Sequence, residues 1–572
     1  MAEHTQSIST GSANITQTCT GTGTSNTLHR HSRLSTRTRE CIAFSDTSLL
    51  RGTKATAVLH GFGQILTNNS GSADTYEHSE CVGSIDHFIS HNWSTKRFGK
   101  FLALALHFNL IPAIVACIVT CALAAALTLG DVFPTMDFTW KERSYRQGMA
   151  CHFCGSAAFF ITLLLWHEAA AYLGSSATVF LDKTCIHQTD TDLKKQGIRS
   201  LAAFLASSKN LLIVYSDTYL QKLWTVYELA SNLALHPNGS ITVIPVFLPK
   251  LLLRGVVFWF LFSTVHIFMS LTLVWDWFKC HQLKQLMEMV VTMGLMLPAS
   301  FALMMTQRKW ARKRANIQRL VESFSITRAA CFCEDDRPVV QGNIASFMRD
   351  LGLVHDLTSE PAALAAFDQL VREEVPHALA TSFGRAGIPY RYAATIFMAQ
   401  SLRIADQLTP LLRGCLTVEK FLIDASMHLT MHFALLPIGI AAFDLAAKHC
   451  LGEGVRPTVF MIFLYGLIFV GMCALWLTFD TTANYAKESL SHLPFYVCYV
   501  LALIGMARLA FRPLPPKPVE RSSLSDFKNW SRSDFSSSFR SLMRSVVTPC
   551  SARSSATPMS SAASEVMSVP SE

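Results

Sequence analysis

Runs of about twenty uncharged apolar residues, the length a helix needs to cross a bilayer core, recur along this chain. The first two fall inside a unit that otherwise reads as alternating strands and helices. Leu110–Leu129 is such a run, and residues 150–166 form a second, shorter one that extends through Glu168 towards Leu173. Short buried-strand patterns flank the pair: 84–90 (SIDHFIS) upstream, then 177–182 (ATVFLD), 210–216 (NLLIVYS) and 241–248 (ITVIPVFL). Helical patterns separate the strands. Residues 197–208 place Ile198, Leu201, Ala202 and Leu205 on one face, and 219–235 is amphipathic. Strands without polar alternation, joined by helices, predict a parallel sheet covered on both faces. Strands of one sheet must lie on the same side of a membrane. The insertion therefore crosses twice, as a helical hairpin with 131–149 as the far-side loop.

Composition agrees with a membrane protein. Half of the 572 residues are hydrophobic, 16% are charged, and the mean hydropathy is +0.29. The formal charge is +9. Its basic residues flank apolar stretches rather than gathering beside aromatics, which argues for membrane rims and against nucleic acid as a partner. Sixteen cysteines are scattered. Cys151-His152-Phe153-Cys154 opens an apolar run without a second ligand pair, and Cys331 and Cys333 also lack partners, so no metal site is expected.

The strand and helix fragments resemble a TIR domain. FISH at 88–91, VFLDK at 179–183, a polar loop, a Gly-Ile-containing helix, LLIVYS, Tyr219 and LWTVYEL at 223–229 follow the TIR order. LWTVYEL is the most specific, carrying the Trp-x-x-x-Glu-Leu arrangement of the TIR helix. The resemblance covers roughly 84–108 and 177–250. It implies a flavodoxin-like α/β parallel-sheet domain, interrupted here by the transmembrane hairpin and followed by further transmembrane helices. The last strand and helix of a full TIR domain are missing, because an apolar run begins where they should be.

The expected organisation is a disordered Ser- and Thr-rich region at 1–83, the two parts of the TIR-like domain at 84–108 and 176–250, and the hairpin insertion at 109–175. A second hairpin follows at 251–306, a helical cytosolic region at 307–420, two or three membrane helices at 421–511, and a disordered Ser-rich tail at 512–572. Lys96, Arg97 and Lys100 precede the first run, Lys250 and Arg254 precede the third, and Arg308–Arg314 follows the fourth. The positive-inside bias then places the TIR-like domain in the cytosol. Residues 425–443, 457–479 and 489–507 are the later candidates. Seven crossings would leave Arg508 and Arg512 on the far side, so six are expected, with 425–443 the weakest.

Some TIR domains cleave the nicotinamide–ribose bond of NAD, and others only bind one another. The resemblance implies Glu228 as the catalytic acid, its carboxylate stabilising the oxocarbenium-like ribose left by departing nicotinamide. A solvent-facing helix acid is the ordinary role for such a residue. Trp224 stands four residues earlier on the same face. Ser90, His91, Asp182 and Lys183 end strands where α/β sheets bind ligands. NAD is expected as a substrate, with no permanently bound cofactor. No G-x-G-x-x-G or Walker A sequence occurs, which counts against dehydrogenase and NTPase chemistry. The loop 184–196, with Asp190, Asp192, Lys194 and Lys195, suits contacts between copies, so a homo-oligomer in the bilayer is expected. Two alternatives stay open. One is a non-enzymatic membrane scaffold. The other is a channel or transporter with a TIR-like regulatory module, suggested by His428, His432, Asp424 and Asp444 in or beside an apolar helix.

Overall fold

A computed structural model describes residues 43–513, except 141–142, 237–238, 270, 272–280, 332–333 and 351–358. Six strands form one sheet: β1 (Arg51–Lys54), β2 (Ser79–Cys81), β3 (Ile85–His91), β6 (Thr178–Phe180), β7 (Ser208–Tyr215) and β8 (Ser240–Pro245). A separate antiparallel ribbon consists of β4 (Thr135–Trp140) and β5 (Arg143–Gly148). The six-stranded order is β2-β1-β6-β3-β7-β8. β6, β3, β7 and β8 run parallel, while β1 is antiparallel to both β6 and β2. The sheet is thus mixed but mostly parallel. Its centre is the continuously apolar part of β7, where Leu211, Leu212, Ile213 and Val214 are all buried, as a strand covered on both faces requires.

The region expected to be disordered supplies two of these strands. Residues 43–81 add β1, β2 and the helices Ala55–Gly63 and Ala73–Glu77 to the sheet edge. Their aliphatic residues are too few to form a periodic pattern, but the sheet provides the surface they lack. Ala55, Val58, Leu59 and Leu66 pack in one cluster with Ile89, Phe101 and Leu181. Thr53 pairs with Val179, and its hydroxyl donates to Thr184 Oγ1 at 2.7 Å. Residues 1–42 and 514–572, also expected to be disordered, lie outside the described residues. The helix expected at 197–208 divides at Ser200 into Thr191–Arg199 and Leu201–Ala206.

Among the described residues seven helices are long and apolar enough to cross a membrane, one more than the six expected. The first two, Leu110–Leu129 and Ala150–Tyr172, pack along each other and are joined through the β4–β5 ribbon. Their close approach depends on Gly155. A Cβ there would lie 2.4 Å from Cys121 Sγ, inside a helix pair otherwise tightened by small residues. Gly155→Val is expected to separate the two helices and lower the thermal unfolding temperature of the detergent-solubilised protein. An unchanged melt would contradict this packing.

The stretch 307–420, read as a cytosolic helical region, does two different things. Its first part completes the core beside the sheet. Trp310, Ile317 and Val321 of the His281–Glu322 helix, and Phe367, Val371, Val375 and Phe383 of the Glu360–Phe383 helix, join the cluster of Leu211, Ile213, Val226 and Val243. This helix lies against β8, where the next strand of a longer sheet would otherwise pack.

Residues 390–412 are largely helical, as expected, and pack along the two apolar helices. The helix Tyr390–Ser401, the 3₁₀ turn Leu402–Gln407 and the short helix Leu408–Leu412 run the full length of the hairpin. Arg391 acts electrostatically on His107, just before the start of Leu110–Leu129, and Arg413 pairs with Asp131 just past its end. Between these ends Tyr392, Ile396 and Phe397 pack with Leu110, Ala113, Leu252 and Trp259. Hydropathy missed this segment because Gln400, Arg403, Asp406 and Gln407 interrupt it.

The weakest expected crossing, 425–443, lies within a longer helical stretch, Val418–His449, with a π-helical turn at Met431–Leu435. It is the most interior of the seven. The final helix, Leu493–Ala510, returns its end to Tyr390, whose ring lies 5.3 Å from Phe511.

Candidate active site

The parallel strands β3 and β6 end beside one another, and the side chains that follow them meet there. Ser90, in β3, is fully buried. Its hydroxyl donates to Glu228 Oε2 at 2.5 Å and lies 2.6 Å from Tyr219 Oη. Because a hydroxyl has one proton, Tyr219 donates to Ser90 while Ser90 donates to Glu228. Glu228 reaches this point from the helix Leu223–Leu235, which follows the short turn Tyr219–Gln221 after β7.

Burial raises the Glu228 carboxyl to about 8. The Ser90 hydrogen bond opposes the shift, and the Asp182 carboxylate nearby adds to it. Tyr219 is pushed well above the ordinary phenol value, first by burial and then by Glu228. Both groups therefore keep their protons at neutral pH, as desolvation of an acid requires.

A second group adjoins this one. Trp93 Nε1 donates to Asp182 Oδ2 at 2.8 Å, and the His91 ring packs against Trp93 at 4.5 Å. Lys100 Nζ lies 4.5 Å from the Trp93 ring centroid, a cation–π contact. Lys183 donates to Ile65 O, Asn68 O and Asn68 Oδ1 at 3.1–3.2 Å. Burial lowers His91 to about 4, with Asp182 opposing and Lys100 adding, so its ring is neutral at pH 7. Burial also lowers Lys100, to about 8, against the pull of Asp182.

Ser90 and Glu228 thus meet directly, and His91, Asp182 and Lys183 gather around Trp93. Trp224 goes elsewhere. Its indole N–H donates to Asp336 Oδ2 at 3.4 Å, and its ring packs on Tyr227, so it joins the helix to the segment Asp336–Asp350. Four-residue spacing put Trp224 and Glu228 on neighbouring ridges, but a half-buried indole takes whichever acceptor is adjacent.

Tyr219, Trp93 and Lys100 were not read as site residues. Tyr219 was visible only as part of the motif order. Lys100 was grouped with Lys96 and Arg97 as a basic rim, yet it is 1% exposed and points beneath Trp93. Its place in the first turn after β3 was the only signal available. Asp190, Asp192, Lys194 and Lys195 are exposed, and Asp190 caps the Thr191–Arg199 helix through Asp192 N and Leu193 N.

Residues 181–252, from the end of β6 through β8, match the family model of the TIR domain. The chain carries a TIR domain. β3, with Ser90, and β6 both precede the matched stretch, with the two apolar helices between them. The TIR fold fits the parallel part of the sheet, whereas β1 and β2 are additions to it. No curated protein and no solved structure matches the chain.

Proposed function

We propose that this is a multi-pass membrane protein whose TIR domain faces the cytosol, signals by associating with other copies, and cleaves NAD at Glu228. The carrying observation is the Tyr219–Ser90–Glu228 hydrogen-bonded group at the strand ends, with Tyr219 and Ser90 buried and Glu228 half-buried, on the side of an α/β sheet where ligands bind. The exposed mixed charges of the Thr191–Arg199 helix supply a surface for association between copies. NAD is a substrate in this reading, not a resident cofactor.

Among the described residues seven helices are long and apolar enough to cross a membrane. Residues 390–412 count as a crossing, so the total is even and the chain end returns to the TIR side. Arg508 and Arg512 then lie with Arg308, Arg312 and Lys313, and the positive-inside bias gives that side to the cytosol.

In the reaction Glu228 stabilises the positive ribose as nicotinamide leaves, and only the carboxylate does so. With the carboxyl raised to about 8, the active form grows as pH rises through that value. Nicotinamide release by the full-length protein in detergent is expected to increase between about pH 6 and 9, and to be lost in Glu228→Ala. Release that is equal in the two proteins, or absent from both, would remove the catalytic part of this reading and leave a scaffold.

A further inference from the structure

The broken segment 390–412 brings ionisable groups into the bundle, where such groups are costly and mark function. Its 3₁₀ turn carries Arg403 and Asp406. Asp406 accepts from the backbone N–H groups of Cys151 and His152 at 3.0 and 3.3 Å, so the start of the Ala150–Tyr172 helix stabilises its negative charge. Arg403 acts electrostatically on His152, His266, His428, His432 and Asp406. Tyr145 of β5 feels both Arg403 and Asp424, and Asp424 pairs with Lys487.

Hydrogen-bond direction fixes what the rings still offer. Thr264 donates its proton to Phe260 O, so His152 Nε2 must donate to Thr264 Oγ1 at 2.8 Å. His428 Nε2 lies 3.2 Å from Gln400 O, and His432 Nδ1 lies 2.7 Å from His428 O. A carbonyl only accepts, so both nitrogens are donors. Each neutral ring has then used its single N–H and keeps one lone pair. His152 Nδ1 and Gln400 Oε1, whose side chains interact with each other, are buried without any further hydrogen-bond partner among the described residues, and both residues are 0% exposed. A cluster of lone pairs calls for a proton donor. A metal ion is set aside, because among the described residues no three His, Cys, Asp or Glu side chains are grouped to hold one.

The backbone is irregular on both sides of the cluster. The helix Tyr390–Ser401, which leads into the 3₁₀ turn, packs against the π-helical turn Met431–Leu435, a form that often accompanies functional positions in helices. Towards the TIR domain the bundle closes with Leu106, Leu110, Leu252, Val256, Tyr392 and Ile396. Towards the other end it meets β5, where a Cβ on Gly148 would lie 3.2 Å from Asp406 Oδ1.

We propose that His152, His428 and His432, held around the turn Leu402–Gln407, form a proton-binding site entered from the face opposite the TIR domain. A proton from water adds to an imidazole lone pair and gives the imidazolium, with nothing oxidised or reduced. Asp406 offsets the added charge and Arg403 opposes it. This rests on the membrane reading above and goes beyond the TIR chemistry.

Trp259 reports the event, since its ring lies edge-on to His432 at 5.7 Å and an imidazolium quenches a neighbouring indole. The full-length protein in detergent, scanned from about pH 8 to about pH 4 across the imidazole range, is expected to show a fall in emission. Trp259→Phe and His432→Gln should each remove that fall. His428→Gln should shift its midpoint, because the two histidine rings are 4.3 Å apart. In sealed vesicles, acid on the far side alone should produce the fall. A fall that persists in His432→Gln, no component dependent on Trp259, or a response to acid on the TIR side would each overturn the site. Release of the native protein by alkaline carbonate would instead remove the membrane reading itself.

Discussion

Glu228→Gln should make the protein more stable at neutral pH while abolishing nicotinamide release. Glutamine retains an acceptor for the Ser90 hydroxyl but carries no charge to bury. The sign follows from linkage. The folded carboxyl titrates at about 8, against 4.5 for the ordinary group, so the folded state holds its proton more tightly. That preference is fully present below about pH 4.5 and is lost as pH rises through about 8. At pH 7 the ionisable acid therefore costs on the order of a few kcal/mol relative to a neutral isostere. Melting in detergent should show the two proteins alike near pH 4 and the variant higher at pH 7. A variant that is less stable at both pH values would mean that the Glu228 charge is solvated, and the raised titration would have to be abandoned. A catalytic acid held at such a cost is a familiar exchange of stability for function.

Asp444→Ala should be the most damaging single change in the bundle. Asp444 is fully buried, binds the Arg314 guanidinium, and takes Lys448 Nζ at 2.9 Å. It ties the Val418–His449 stretch to the His281–Glu322 helix. Gly387, at φ +70°, completes the knot. A Cβ there would stand 2.4 Å from Arg314 Nη1 and 2.6 Å from Asp444 Oδ1. Its carbonyl accepts from Trp310 Nε1 at 2.8 Å. Removing the carboxylate leaves a guanidinium buried against the bundle, a loss of about 3–5 kcal/mol. Asp444→Asn should lose less, since one acceptor survives, and Lys448→Ala little, because Lys448 is 40% exposed. Equal melts for Asp444→Ala and Lys448→Ala would show that the pair holds nothing together.

The parallel strands were legible because buried runs such as NLLIVYS have one ready explanation. The two apolar helices between β3 and β6 were legible from their length and hydropathy. The edge strands β1 and β2 were not, since a Ser- and Thr-rich stretch shows no periodicity until a sheet edge pairs with it. The segment 390–412 was hidden for a different reason. Its Arg403 and Asp406 lower its hydropathy, and it is neighbours from other elements, among them Cys151, His152, His266 and His428, that make those residues tolerable. Strand ends and motif order singled out Ser90 and Glu228, and the fold brings these two side chains into contact. Trp93 carries no local signal, Lys100 only its place in the first turn after β3, and the tie from Trp224 to Asp336 depends on a contact across 112 residues.

The cysteines already in the chain give the most direct test of how the domain and bundle are arranged. Cys81 is exposed on β2 beside the TIR sheet, and Cys415 is exposed just after 390–412, next to the Arg413–Asp131 pair. A membrane-impermeant thiol reagent, applied to intact cells and mapped by mass spectrometry, should label Cys415 at once and Cys81 only after permeabilisation. Labelling of both cysteines from the same side would contradict the crossing at 390–412 and, with it, the return of the chain to the face of the TIR domain.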